Sequence, residues 1–276
     1  MVIAVLMACY NRRNHTIRCL NSLKSQSIIC DGTGHKRCRF NLWLLDDASS
    51  DGTSEAVRAI WPDVNVIDGD GNSYWCGGMR RAWRDASASD PDFYLLLNDD
   101  TTLVHDAIEQ LLALAPEPNS QVIAVAAIAD PRDGRVVFGG HKGHNLAPVQ
   151  PEGTAENCDT MNANCALVPR AVYEALGILS DAYTHSMGDF DYGFMARRSG
   201  VQIIQSASIL GFSEPNPQEG SWRDCSLSRI ERLKLLWFSP TKGLPFFEWF
   251  RYCYRNYGWR LLYKGLSPTG RVIIGK

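Results

Sequence analysis

The sequence predicts an α/β protein, with a mixed, mostly parallel central sheet between two layers of helices and a helical C-terminal tail. Three observations carry this expectation. Short apolar runs alternate with segments of helical periodicity through the first half of the chain, the pattern of βαβ units. Two of the runs stop abruptly in carboxylates, at Leu45-Asp46-Asp47 and at Leu95-Leu96-Leu97-Asn98-Asp99-Asp100. Open sheets of this kind bind ligands beyond the carboxyl ends of their strands. The composition then turns basic and aromatic near the C-terminus, so the expected division is an α/β domain over 1–215 and a helical extension over 216–276.

Taken in order, Val2 to Ala8 reads as a buried first strand, too short for a membrane span and without a basic leader. Helix 14–25 follows, with Asn14 as its N-cap and Leu20 and Leu23 on its apolar face. Residues 30–39 form a polar loop. Strand 40–45 runs into Asp46, and the turn at Asp51-Gly52 opens a helix over 53–60. Strand 64–67 leads to Gly69-Asp70-Gly71-Asn72, then come helix 77–86, strand 93–97, helix 104–114 and strand 121–128. Residues 130–160, rich in Gly, Pro and polar residues, form a long connection with one short strand at 135–138. A strand at 165–168, a helix at 169–176, a helix from Asp189 to Arg198 and a strand at 201–204 complete the pattern. Residues 213–221 are a loop or lid, and the tail holds an amphipathic segment near 228–238 and an aromatic cluster from Phe246 to Trp259.

A chain of 276 residues can bury a large core, and 45% hydrophobic with 21% charged residues is ordinary for a soluble globular protein. The net charge of −2 argues against general nucleic-acid affinity. Residues 222–276 hold eleven Lys/Arg and three Asp/Glu, a balance of +8 that leaves −10 on the other 221 residues. A basic, aromatic tail on an acidic body points to an anionic surface such as a membrane face. Packing on the α/β domain or on a second subunit of a homo-oligomer is the other reading. The nine cysteines show no C-x-x-C and no finger-like spacing, and an odd count without secretory signals fits free thiols in a reducing cytoplasm.

Three acidic stations suggest a metal-assisted transferase acting on a phosphorylated donor. At Asn98-Asp99-Asp100, carboxylates at a strand end can hold a hard divalent cation and leave positions open for phosphate oxygens. Such a cation neutralises the charge on a departing nucleoside diphosphate; the alternative is that these aspartates only cap the next helix. Between Asp46 and Thr53, a short acid can accept hydrogen bonds from a nucleobase or ribose, or serve only the turn. At Gly188-Asp189-Phe190-Asp191, one carboxylate can take the proton of an attacking hydroxyl. Asp189 and Asp191 are two apart on a helix and point in different directions, so the other is a ligand, a cap or an acceptor contact. Gly71, Gly77 and Gly78 permit close backbone approach at a helix N-terminus, and Arg80 or Arg81 is a diphosphate partner or solvated. No G-x-G-x-x-G, P-loop or G-x-S-x-G pattern is present, and His141 and His144 lack a third ligand for zinc.

Together the stations resemble the family 2 glycosyltransferases of GT-A fold, most closely their bacterial rhamnosyltransferase-like members, over roughly residues 1–212. The resemblance rests on Met7-Ala8-Cys9-Tyr10-Asn11-Arg12 after the first strand and on Leu45-Asp46-Asp47-Ala48-Ser49-Ser50-Asp51-Gly52-Thr53 after the second. It continues through Gly71-Asn72 before a Gly-rich helix and Leu97-Asn98-Asp99-Asp100-Thr101 as a DXD-type site. It ends in Gly188-Asp189-Phe190-Asp191-Tyr192, followed by Arg197, as an acidic base motif. The resemblance implies inverting transfer of a hexosyl or deoxyhexosyl group by single displacement from a nucleotide-diphosphate sugar to a hydroxyl, with Mg2+ or Mn2+. It implies Asp189 as base and Asp100 and Asp99 as metal contacts. Around the donor it implies Tyr10, Asn11, Arg12, Asp46, Asp47, Asn72, Gly78, Asn98 and Asp99, and toward the acceptor Asp191 and Trp75.

Two positions depart from the family pattern. Asn98 stands where the first DXD carboxylate belongs, and Ile209-Leu210-Gly211-Phe212-Ser213 lacks the His that the family often supplies to the metal. The implied partners are a nucleotide-sugar donor and a glycan or lipid-linked acceptor in bacterial surface polysaccharide synthesis, at the cytoplasmic membrane face and without nucleic acid. A sugar nucleotidyltransferase is a second reading, poorly matched by Ala8-Cys9-Tyr10-Asn11-Arg12. A catalytically silent nucleotide-sugar-binding GT-A module is the third, kept open by Asn98 and the missing His.

Overall fold

A computed structural model describes residues 1–29, 38–143 and 145–275. Most of the polar loop expected at 30–39, and His144, lie outside them. The chain begins with β1 (Val2–Cys9), α1 (Arg13–Lys24), β2 (Arg39–Asp46), α2 (Thr53–Ile60), β3 (Asn65–Asp68), α3 (Tyr74–Ser87) and β4 (Phe93–Leu97). Next come β5 (Thr102–Leu103), α4 (Ala107–Leu114) and β6 (Val122–Ala129). The expected long connection is filled by short strands: β7 (Val136–Phe138), β8 (Gly140–Lys142), β9 (Ala147–Pro148), β10 (Glu156–Asn157) and β11 (Thr160–Met161). Then follow β12 (Cys165–Pro169), α5 (Arg170–Leu176), α6 (Gly188–Arg198), β13 (Gln202–Phe212) and the tail helices α7 (Arg229–Phe238), α8 (Phe246–Tyr257) and α9 (Leu261–Ile273).

The main sheet has the order β10-β13-β6-β12-β4-β1-β2-β3. β1 is parallel to β2 and β4, β2 to β3, and β6 to β13, while β12 runs antiparallel between β4 and β6. The strands read as continuous apolar runs because helices cover both faces. Ile3, Val5 and Met7 of β1 pack with Leu20 and Leu23 of α1 and Leu111 of α4. Ala4 and Leu6 face the other way, onto Met79 and Trp83 of α3 and Tyr192 of α6. This is the three-layer arrangement expected.

The differences are local and have local causes. α1 has Arg12 at its N-cap position with no side-chain cap, so Asn14 lies inside the helix rather than capping it. α3 begins at Tyr74, three residues before the expected start, because the Asp47 carboxylate accepts the N–H groups of Ser73 and Tyr74 at its first turn. α4 begins later, at Ala107, because Thr102 and Leu103 are drawn into a ladder with Phe212 and Gly211. β13 runs on to Phe212, far beyond 201–204, through its parallel pairing with β6. In the tail, α7 carries a capping box, in which the Ser228 and Glu231 side chains reciprocally accept each other's backbone N–H. α8 buries Tyr252 and Cys253 against Cys76, Tyr183 and Met187 of the α/β domain. The eight described cysteines are all free, and seven are buried.

Candidate active site

The site is assembled at the carboxyl ends of β1, β2 and β4. Asn11, at φ +51°, donates its N–H to Ser49 Oγ (2.9 Å) and accepts the Ser50 N–H on Oδ1 (2.7 Å). Asp51 accepts the N–H of Arg13 (2.9 Å) and of Thr53 (3.1 Å). The loops after β1 and β2 are therefore fastened together, with Tyr10 exposed at their rim.

Asp46 and Asp47 are both buried. Asp46 accepts the Ser49 N–H (2.9 Å) and the Ser54 hydroxyl. Asp47 accepts three backbone N–H groups, from Gly71 (3.0 Å), Ser73 (3.1 Å) and Tyr74 (2.9 Å). Asp47 thus shapes the entry to α3, a structural role beyond the donor contact expected of it. Gly78 is also structural: a Cβ there would lie 2.8 Å from the Ala8 Cβ and 3.1 Å from Leu45 Cδ2, so the glycine lets α3 lie flat on β1 and β2. Arg80 donates to the carbonyls of Ser180 (2.9 Å) and Tyr183 (2.7 Å), and Arg81 to that of Asp68 (3.0 Å). Asn72 is exposed beside a cavity of about 530 Å³, also lined by Asp70, Ser73, Arg80, Asp181 and Thr184.

At the end of β4, Asp99 is buried and its proton is held up to about pH 7, chiefly by burial, with Arg12 pulling the other way. Arg12 spans the acid pair, 3.3 Å from Asp99 Oδ1 and 2.8 Å from Asp100 Oδ2. Thr16 donates to Asp99 Oδ2 (3.5 Å). Asp100 Oδ1 and the hydroxyls of Thr101 and Ser213 are buried without a hydrogen-bond partner. Ser213, the last residue of the stretch that lacks the His, lies one residue beyond the Phe212–Thr102 pair and so comes beside Thr101. Asn98 Oδ1 accepts the Trp75 indole N–H (2.8 Å), and the Trp75 backbone N–H points at His185 Nδ1 (3.4 Å). The amide at position 98 thus fixes the indole without adding a third negative charge.

The Asp189 station closes on the same place. β12 runs beside β4 with Cys165 opposite Leu97, and the Asn98 N–H donates to the Asn164 carbonyl (2.9 Å). One residue earlier, the Ala163 N–H donates to Asp189 Oδ2 (3.1 Å), which also accepts from Asn162 Nδ2 (3.4 Å). Asp189 Oδ1 accepts the Phe190 N–H (2.9 Å). Burial raises the Asp189 carboxyl above its ordinary value, against the pull of these donors. His141 supports Asn162 from behind, with Nε2 2.7 Å from Asn162 Oδ1. Asp191 differs from its expected acceptor role: it is buried and held by Asn256 Nδ2 (2.8 Å) and Arg255 Nη1 (3.2 Å) of α8. The reason is its place on α6, which turns it toward the tail rather than the cleft. Asn162, Ala163, Thr16, His141 and His185 were not singled out by the sequence for this site. The break Asn162-Ala163-Asn164 ahead of an apolar strand was the available signal.

The donor chemistry fits a hard cation. Asp99 and Asp100 supply oxygens, and Asp100 Oδ1 has an unused lone pair. No group of three or more His, Cys, Asp or Glu among the described residues could hold a metal. A cation held by one or two carboxylates and completed by substrate phosphates is the usual pattern for Mg2+.

The family model described as Glycosyl transferase family 2 matches residues 4–177. In fold the chain is similar to the mannosyltransferase PcManGT of Pyrobaculum calidifontis in complex with GDP-Man and Mn2+, with TM-score 0.60 and 16% identity over 99% of this chain and 73% of that one. It is also similar to S. aureus TarS 1–349 in complex with UDP, with TM-score 0.60 and 16% identity over 99% of this chain and 90% of that one. The same protein in complex with UDP-GlcNAc gives TM-score 0.60 and 15% identity over 100% of this chain and 81% of that one. No curated protein matches the sequence. The structural likenesses establish the GT-A fold, and the family model spans β1 through α5 with the loops just described; the chain belongs to glycosyl transferase family 2.

Proposed function

We propose that the protein is an inverting glycosyltransferase that moves a hexosyl or deoxyhexosyl group from a nucleotide-diphosphate sugar to a hydroxyl acceptor. The observation that carries this reading is the convergence of Asp100 and Asp189 on the adjoining ends of β4 and β12. Asp100 with Asp99 would hold Mg2+ or Mn2+, which when bound would supply charge neutralisation to a leaving diphosphate. Arg12 contributes a second positive charge at the same pair. Tyr10, Asn11, Asp46 and Asn72 line the donor side, and Trp75, fixed by Asn98, walls the space between donor and acceptor. Asp189 accepts the acceptor proton: its donors aim it, and burial raises its basicity. The motif order supports a rhamnosyltransferase-like member acting in bacterial surface polysaccharide synthesis, and the free cysteines support a reducing compartment.

Asp189→Asn tests the assignment. The variant should lose transfer while binding the nucleotide sugar and Mn2+ as the parent does, measured by titration calorimetry. Full activity in that variant would overturn the base assignment.

A further inference from the structure

We infer that the outer face of α9 and its neighbours is a docking surface for an anionic lipid bilayer. The helix is built the wrong way round for a solvated one. Its inward positions are Gly265, Pro268 and Val272, and its outward positions include Leu262, Leu266 and Ile273, one stripe at helical spacing. Gly265 sits against the Phe250 ring, where a Cβ would come within 2.9 Å, and its carbonyl accepts the Trp249 indole N–H (3.0 Å). These contacts set the rotation of α9, so the apolar stripe is fixed outward.

The patch is concentrated. Of the fourteen large hydrophobic residues counted as exposed among the described residues, eleven lie between Ile230 and Ile274. Trp259 is 87% exposed and Tyr263 is 75% exposed. An apolar face of this extent marks an interaction surface.

Charge decides between occupants. Over residues 230–274, which carry the patch, eight Lys/Arg stand against two Asp/Glu, and both acids are engaged within the chain, Glu231 by Ser228 and Glu248 by Thr184. A two-fold contact between copies would set this net positive segment against itself. Anionic headgroups supply the opposite charge, while indole and phenol rings suit the headgroup boundary. No helix among the described residues is long and apolar enough to cross a membrane, so this surface lies on the bilayer rather than through it. The patch is coupled to the site: α8 holds Asp191 through Arg255 and Asn256, two residues from Asp189, and its Glu248 accepts from Thr184. Docking would therefore hold the Asp189 side of the cleft in a set position relative to the lipid. The inference stands on the tail alone, independent of the transferase reading.

The test is flotation of the full chain with vesicles of phosphatidylcholine, with and without phosphatidylglycerol. The chain should float with the anionic vesicles, and high salt should weaken this. Leu262→Glu with Leu266→Glu should lower the bound fraction about tenfold or more, since charge at the acyl boundary is costly. Arg251→Gln with Arg271→Gln should remove the preference for phosphatidylglycerol. All four positions are exposed, so unchanged melting temperatures would show that the variants fold. Failure to float with either vesicle would overturn the proposal. So would a dimer in sedimentation velocity that the Leu262 and Leu266 variant dissolves while vesicle binding stays unchanged.

Discussion

Replacing Asp47 by Ala separates two roles that the sequence could not. Asp47 is the acceptor for the N–H groups of Gly71, Ser73 and Tyr74, at 3.0, 3.1 and 2.9 Å. Bonds to a charged acceptor contribute about 1.5–3 kcal/mol each when buried. Gly71 is exposed and Ser73 half-buried, so water can replace part of what is lost. Roughly 1 kcal/mol per bond, or about 3 kcal/mol together, is the reasonable figure. At about 2–4 °C per kcal/mol for a chain of this size, the melting temperature should fall by about 6–12 °C. The assay is thermal unfolding without nucleotide, paired with calorimetric titration of the donor. A variant that melts within about 1 °C of the parent yet fails to bind nucleotide would refute the structural account and return Asp47 to the nucleobase.

The remaining predictions concern a proton and a packing contact. Folded Asp99 keeps its proton up to about pH 7, whereas the unfolded chain releases it near pH 4, so the folded state binds more protons in between. Stability should therefore fall as pH rises through that window and level off above it, and Asp99→Asn should flatten the slope of urea midpoints against pH; an unchanged slope would exclude Asp99 as its source. Gly78→Ala should destabilise by about 1–2 kcal/mol, as the clash with Ala8 and Leu45 outweighs the gain in helix propensity. Gly77→Ala, whose Cβ would meet nothing nearer than 3.7 Å, should be neutral or stabilising in the same melts.

The layer order was legible because apolar runs such as Val2–Ala8 and Phe93–Leu97 have no other place than a sheet covered on both faces. The acid stations were legible because strands ending in carboxylates break an apolar pattern. The short strands were not: β8 and β11 pair only through Gly140–His141 and Met161–Thr160, a match made by tertiary contact rather than by period. Asp191 could not be read either, because Asn256 and Arg255 lie more than sixty residues downstream. Gly78 resembled a ligand-approach glycine until its neighbours, Ala8 and Leu45, were placed beside it.

The carboxylates sort by access and by free lone pairs. A carboxylate offers about four acceptor positions. Asp47 fills three of them and is buried, and Asp191 turns both its oxygens to α8, so the protein's own donors take up most of what each can accept. Asp189 also fills three, and these donors fix the direction of its carboxylate, as the proposed base would need. Asp100 keeps Oδ1 buried and unpaired, the one carboxylate oxygen among the described residues left so, which is what the proposed metal contact would use. Asp99 and Asp100 side by side are unfavourable unless positive charge lies across them. Arg12 supplies it, and its side chain is 42% exposed, far less confined than the acids it bridges. One guanidinium offsets only part of the charge of two carboxylates, and the raised proton affinity of Asp99 offsets more, so the acid pair can persist in the folded protein before any donor binds.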